Sequence, residues 1–359
     1  MTKAPIPTRK SAIKPISAIA VMAISLIGFV VGGPAIGFAQ SKTPTKNGSI
    51  VNFREEMRQL VISIGDFARS GKPDFKIIAE DALGIVVKPD PQDEEIMFPA
   101  KTLIVNIDGV LQREVSTLVS KKQVTEESIK LRDHAMKIAS DSGLNVLALE
   151  FAKEQKEISD IYTKDAKTGI VPFVAESMNL SSIPAHPKTI FNNNSESVTS
   201  LKDVKNFIYL ENTQGFGSRR DYIQSLHNTN YDAVIINVYH GRNPLTADDV
   251  RLLKYKKTGA RRLVFATMDV STAASSLYYW KQDWKQGSPA YIDAPLRSDP
   301  DRYRTHYWDT EWQSIIYGNA SSYVAGIITL GFDGVVVRGL NGWRYWETGE
   351  VEEDQDAIE

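Results

Sequence analysis

The sequence predicts an α/β protein built as a (β/α)8 TIM barrel. Eight short, β-branched and nearly continuous apolar runs alternate with longer amphipathic stretches, the pattern of parallel strands covered on both faces by helices. Five of these runs follow shortly after a glycine that closes a helical pattern, at Gly71, Gly143, Gly169, Gly259 and Gly331. Glycine there supplies the left-handed residue at which a helix stops and the chain reverses. The rival doubly wound sheet lacks its fingerprint: no Gly-x-Gly-x-x-Gly follows a strand, and Gly215-Phe216-Gly217 is a lone weak match.

Taken in order, residues 1–39 read as a signal peptide. Lys3, Arg9, Lys10 and Lys14 precede an apolar run from Ile16 to Val31, and Gly37 and Ala39 fit the small-residue positions of a cleavage site. The alternative is an uncleaved N-terminal membrane anchor, since the run approaches spanning length. Either way the protein is expected to be secreted or periplasmic. Residues 40–50 read as a linker, 51–347 as the barrel and 348–359 as an acidic tail.

The expected strands are Phe75–Ala79, Leu103–Asp108, Val146–Glu150, Val171–Ala175, Phe207–Glu211, Ala233–Val238, Leu263–Thr267 and Gly334–Arg338. Helix starts are marked by Asn52 with Glu55, Thr125 with Ser128 and Thr246 with Asp249, each a capping residue followed by a partner three positions on. Asp309 is placed to cap the run that follows it. The helix Asn52–Ser70 has no strand before it, and the last strand has only a short tail after it. If the barrel closes, that first helix packs beside the last strand and the two ends become neighbours.

Composition narrows the function. There are 42 basic and 44 acidic residues, a net charge of −2, and no cysteine. The first argues against a nucleic-acid partner. The second excludes disulfides, thiolate metal sites and a cysteine nucleophile. The five histidines form no metal-binding pair, and neither a nucleophile elbow nor a P-loop occurs; no metal or cofactor is expected.

In a barrel, chemistry sits at the carboxyl ends of the strands. Those ends carry Glu80 and Asp81, Asp108, Glu150, Glu176, Glu211, Asn237 and Asp269, with Arg338 after the last run. A ring of acids suits acid/base work on glycosidic bonds, or a cationic ligand; the plain alternative is that strand ends meeting water favour acids. Glu80, Asp108, Glu150 and Asp269 are the candidate catalytic residues. All six tryptophans, and many tyrosines, crowd the last eighty residues. Flat aromatic faces stack on the apolar faces of sugar rings, so Tyr279, Trp280, Trp308 and Trp343, with Glu211, Asn237, Tyr239, Arg338 and Asn341, are the candidate substrate-binding set. The partner expected is a polysaccharide or oligosaccharide.

The segments Tyr278–Pro289 (YYWKQDWKQGSP), His306–Gly318 (HYWDTEWQSIIYG) and Gly331–Trp346 (GFDGVVVRGLNGWRYW) resemble glycoside hydrolase family 114, which includes endo-α-1,4-polygalactosaminidases. Met57–Asp81, Asn106–Val110 and Gly169–Ser177 are similar to it as well. The resemblance implies a secreted barrel acting on an amino-sugar polysaccharide. It also carries two departures. The family places the strand of its GFDGVYLD motif before the helix that Met57–Arg69 resembles, whereas here the helix comes first, as in a circular permutation. The family's acids are also replaced: its motif aspartates fall on Arg338 and Asn341 and a following glutamate on Arg344, two glutamates of its SIGEAEDYRYYW segment fall on Thr272 and Ala274 and its arginine on Leu277, and a further acid falls on Asn237. The resemblance therefore implies a saccharide-binding barrel with a degenerate catalytic centre, in which Arg338 suits a carboxylate-bearing polysaccharide. The alternatives are an endo-glycosidase using the retained strand-end acids and a non-enzymatic protein-interaction scaffold.

Overall fold

The computed structural model describes residues 45–46, 49–93, 96–117 and 125–349. The expected signal peptide, most of the linker and nearly all of the acidic tail lie outside these residues. All of the elements below α and β labels belong to the unit that begins at Lys46.

Its centre is a sheet of eight parallel strands: β1 (Lys76–Glu80), β2 (Gly109–Arg113), β3 (Asn145–Phe151), β4 (Val171–Ala175), β5 (Phe207–Leu210), β6 (Ala233–Ile236), β7 (Leu263–Asp269) and β8 (Gly334–Arg338). Their order is β4-β3-β2-β1-β8-β7-β6-β5, so each strand lies beside its neighbour in sequence and the first pairs with the last, Val335 opposite Ile77. The two outer strands meet without a ladder. Phe173 of β4 and Phe207 of β5 meet at a tilt with centroids 5.6 Å apart, and the Glu211 N–H donates to the Leu180 carbonyl at 2.9 Å. The result is a nearly closed, barrel-like sheet, consistent with the expected (β/α)8 architecture. Every residue of β5 and β6 is buried, which is why these strands read as unbroken apolar runs.

The helical layer is uneven. It comprises α1 (Phe53–Gly71), α2 (Glu126–Asp141), α3 (Gln155–Lys167), α4 (Arg219–His227), α5 (Ala247–Leu253), α6 (Thr310–Ile316), α7 (Tyr323–Leu330) and α8 (Trp343–Thr348), while a long loop with a single 3-10 turn joins β4 to β5. The expected caps form: the side chains of Asn52, Thr125, Thr246 and Asp309 accept N–H bonds from Glu55, Ser128, Asp249 and Glu311. Helix α1 packs against α7 and α8, filling the place between β8 and β1. Arg54 pairs with Glu347 at 3.1 Å, and the Tyr307 hydroxyl donates to the Phe53 carbonyl.

One strand is displaced. The sequence predicts Leu103–Asp108 as the second strand, but Lys101–Ile104 is a single helical turn and β2 starts at Gly109. Leu103 and Ile104 bury against α1 while Val105 stays 78% exposed, a one-sided burial that a strand covered on both faces does not give. A β-carbon on Gly109 would stand 2.7 Å from the Asn145 carbonyl oxygen, so the strand can start only where the side chain is absent.

The shift moves Asp108 from the carboxyl end of β2 to its amino end. The Ile77 N–H donates to Asp108 at 2.8 Å, and Arg69 pairs with it at 3.0 Å. Two other strands open the same way. Asp232 before β6 takes the Lys205 N–H and the Lys256 ammonium, and Asp333 before β8 takes the Val264 N–H and Lys254. Each carboxylate ties its own strand to the start of a neighbour, and a nearby cation balances its charge. These three groups hold the floor of the sheet, where residues of a barrel serve stability.

Candidate functional site

At the carboxyl ends of the strands the sequence delivers polar side chains from β1, β5, β6, β7 and β8 to one point. Glu80 ends β1, and its carboxylate accepts the Tyr209 hydroxyl of β5 at 2.9 Å. These strands lie on opposite sides of the sheet order, so the bond spans the lumen. Arg338, the last residue of β8, sits between two carboxylates: Nη1 is 3.0 Å from Glu211 and Nε 3.6 Å from Glu80. Glu211 also accepts from Asn237 Nδ2 at 3.0 Å and from the Thr267 hydroxyl at 3.1 Å. Asn237 in turn accepts the Tyr239 N–H. Burial works to lower the proton affinity of the Arg338 guanidinium, but Tyr209, Glu211, Glu80 and Asp269 around it more than offset this, so it is held well above the usual range. It is a fixed cation.

Asp269, paired in register with Arg338, accepts the N–H groups of Ser271 and Thr272 at 2.9 Å each. The loop leaving β8 crosses directly over this turn. Gly339 has φ +78°, and a β-carbon there would lie 2.3 Å from the Ser271 hydroxyl and 2.8 Å from Asp269 Oδ1. Only glycine allows the two loops to meet.

Beside this network opens a cleft of about 670 Å³ whose lining includes Glu80, Asp269, Arg338, Asn341 and Trp343. One wall carries the half-buried Tyr345 and Trp346, with Arg304 4.4 Å above the Tyr345 ring. Arg54 lies 3.9 Å above the ring of Trp343. Arg113 and Arg132 belong to the lining as well.

Of the residues expected at the site, Glu80, Glu211, Asn237, Asp269 and Arg338 converge, Tyr239 adjoins them through Asn237, and Asn341 and Trp343 line the cleft. Others do not belong there. Asp108 lies at the opposite end of the sheet. Glu150 is fully buried and aligned with Val174, which packs on Ile158 and Tyr162 of α3, so it projects into the helix layer instead of the lumen. There it accepts the N–H groups of Ser116 and Thr117 and the Thr117 hydroxyl, and burial, outweighing these bonds, raises its carboxyl above the ordinary range. Trp308 is buried and packs edge-on against Phe53 and Trp346. Trp280 stacks on Tyr303 at 5.0 Å and Tyr279 meets Trp312 edge-on, forming the core of a three-stranded antiparallel sheet, Thr272–Ala274, Arg302–Thr305 and Ile292–Pro295, inserted after β7.

Sequence reasoning misses Arg113 and Arg304, while Tyr345 and Trp346 stand in the aromatic cluster it singles out but outside the binding set drawn from it. A signal exists for the first: Arg113 ends β2 once the strand is placed correctly, and the Asp-Gly-Val or Asp-Ala-Val triplet that recurs at 108, 232 and 333 marks strand starts. Among the described residues no group of three or more His, Asp or Glu side chains is placed to hold a metal ion, and no helix is long and apolar enough to cross a membrane.

No protein-family profile matches this chain. Over 81 residues, 23% of its length, it is 27% identical to an uncharacterized protein of Thermotoga maritima, and the match spans 24% of that relative.

Proposed function

We propose that this chain is a saccharide-binding barrel of glycoside-hydrolase type whose catalytic centre no longer cleaves. The observation that carries the reading is the position of Arg338. A glycosidase needs one carboxylic acid to protonate the leaving oxygen and a second carboxylate open to water or to the sugar. Here one guanidinium reaches both Glu80 and Glu211, and Glu211 further accepts from Asn237 and Thr267. The permanent cation occupies the ground between the two acids, and the third mouth acid, Asp269, is turned onto backbone N–H groups. What remains is a cleft with aromatic faces and polar edges, the composition that sugar rings need. The leader expected over residues 1–39 supports action outside the cytoplasm.

Titration calorimetry with an oligosaccharide panel, run beside a reducing-end assay that includes de-N-acetylated galactosaminoglycan, tests this. The expected result is binding that Tyr345→Ala or Trp346→Ala weakens, with no new reducing ends. Reducing ends that appear with the native chain and vanish in Glu80→Gln or Glu211→Gln would replace this reading with that of an active endo-glycosidase.

A further inference from the structure

We propose that the saccharide held in the cleft continues past Arg338 onto a second contact surface made by Tyr239, Tyr278 and Tyr323, and that this surface makes the protein select long chains over short ones. This rests on the saccharide reading above and adds the path and length of the ligand. The cleft lies over the ends of β2, β1, β8 and β7, through Arg113, Glu80, Arg338 and Asp269. The three tyrosines belong to the other sector of the mouth, and none of them lines the cleft. Tyr239 follows β6, Tyr278 lies in the segment after β7, and Tyr323 opens α7. Arg338 joins the two sectors, since it lines the cleft and also pairs with Glu211 at the end of β5.

The second surface begins at Glu211. Asn237 links this carboxylate to the backbone of Tyr239. Burial raises the Tyr323 phenol well above its usual range, and after burial the groups that raise it further are Tyr239, Tyr279, Glu211 and Tyr278, so these side chains surround one spot. Glu211 is partly exposed and accepts from Arg338, Asn237 and Thr267. Those are three donors for the roughly four positions that a carboxylate offers, which leaves one for a hydroxyl of the ligand. Tyr323 is buried, yet its hydroxyl bonds to no described residue and is not cut off from solvent. A hydroxyl at that depth is normally bonded, and a sugar hydroxyl can complete it. Tyr278 supplies the flat face and is 55% exposed. A lone exposed ring needs no explanation, but this one is fixed in place. Its hydroxyl donates to the Ser321 carbonyl at 3.2 Å, and its ring meets Tyr279 edge-on at 5.5 Å and lies 5.9 Å from that of Tyr323. A ring held before binding loses little freedom when a sugar stacks on it.

The test is calorimetric titration of the full chain with galacto-, chito- and galactosamine oligosaccharides, each as the disaccharide and the octasaccharide. The expected result is that the octasaccharide of at least one series binds about tenfold tighter than its disaccharide. Tyr278→Ala removes most of that gain, weakening the octasaccharide far more than the disaccharide, whereas Tyr278→Phe keeps the ring and most of the gain. Tyr323→Phe, which loses one hydroxyl, weakens the octasaccharide about threefold. Circular dichroism matched to the parent shows that each variant is folded, and Tyr323→Phe decides if Tyr278→Ala does not fold. Equal affinity for the two lengths, a gain that the folded variants leave untouched, or a loss of the same size at both lengths overturns the inference and leaves saccharide binding intact. Failure of every saccharide to bind overturns both.

Discussion

Replacing Arg338 with Met is the most searching perturbation of the mouth. The substitution keeps much of the volume and removes the charge, leaving Glu80 and Glu211 facing one another. The cost divides unequally. The Glu80 carboxylate is 5% exposed, so it is left as a nearly desolvated charge, whereas Glu211 at 27% and Arg338 itself at 22% are partly screened by water. Breaking a fully buried ion pair costs about 3–5 kcal/mol, and exposed pairs contribute about 1 kcal/mol or less. The long 3.6 Å contact to Glu80 and the short but screened contact to Glu211 place the total near the lower end of the buried range, about 3 kcal/mol. For a protein of this size that lowers the melting temperature by roughly 4 °C. Urea unfolding followed by tryptophan fluorescence measures it. The same titration on Arg338→Met combined with Glu80→Gln and Glu211→Gln should recover about half of the loss, because the uncompensated charges are gone. A variant within about 0.5 kcal/mol of the parent, or no recovery in the combined variant, refutes the claim that this guanidinium holds the two acids together.

Three further outcomes are expected. Asp108→Asn weakens the tie to Arg69 and lowers stability by about 1 kcal/mol, while saccharide affinity stays at the parent value; a change in affinity with stability intact would return Asp108 to the mouth. Gly339→Ala forces a β-carbon into a left-handed backbone and onto Ser271, so denaturant unfolding should show a loss of at least about 2 kcal/mol, and a neutral result would contradict the crossing of the two loops. Burial raises the Asp165 carboxyl above its ordinary 3.8, against the hydrogen bond it accepts from Ser116. The folded state then holds this proton more tightly than the unfolded chain, so its contribution to stability is present at low pH and is lost as pH rises from the unfolded value through the folded one. Asp165→Asn should flatten the fall in urea midpoint as the pH is raised above the ordinary aspartate value; an unchanged slope refutes the assignment.

The legible parts of the molecule and the illegible ones differ for physical reasons. Val171–Ala175 and Gly334–Arg338 read correctly to the residue, because glycine shortly before each run and the fully apolar pattern agree. Glu150 misleads because its strand is buried on both sides. A run such as Val146–Leu149 carries no alternation, so nothing in it tells which way the next side chain points. Asp108 misleads because Leu103–Ile107 is mostly apolar and rich in β-branched residues yet folds as a turn under α1, a tertiary choice that local preference does not register. Tryptophans are legible as a cluster but not by role: Trp308 packs the space between α1 and α8, while Trp346 lines the opening, and the two chemistries call for the same side chain.

The join between β4 and β5 has a mechanical meaning. Two four-strand halves are stitched along one side by the β1–β8 ladder, and on the other their edge strands lie in contact, with a ring pair and an amide bond beside them, but share no ladder. Such a cylinder is a book with one spine: thermal opening begins at the unstitched edge, and backbone amides along β4 and β5 exchange their hydrogens well before those of β1 and β8, which are released only when the whole structure comes apart.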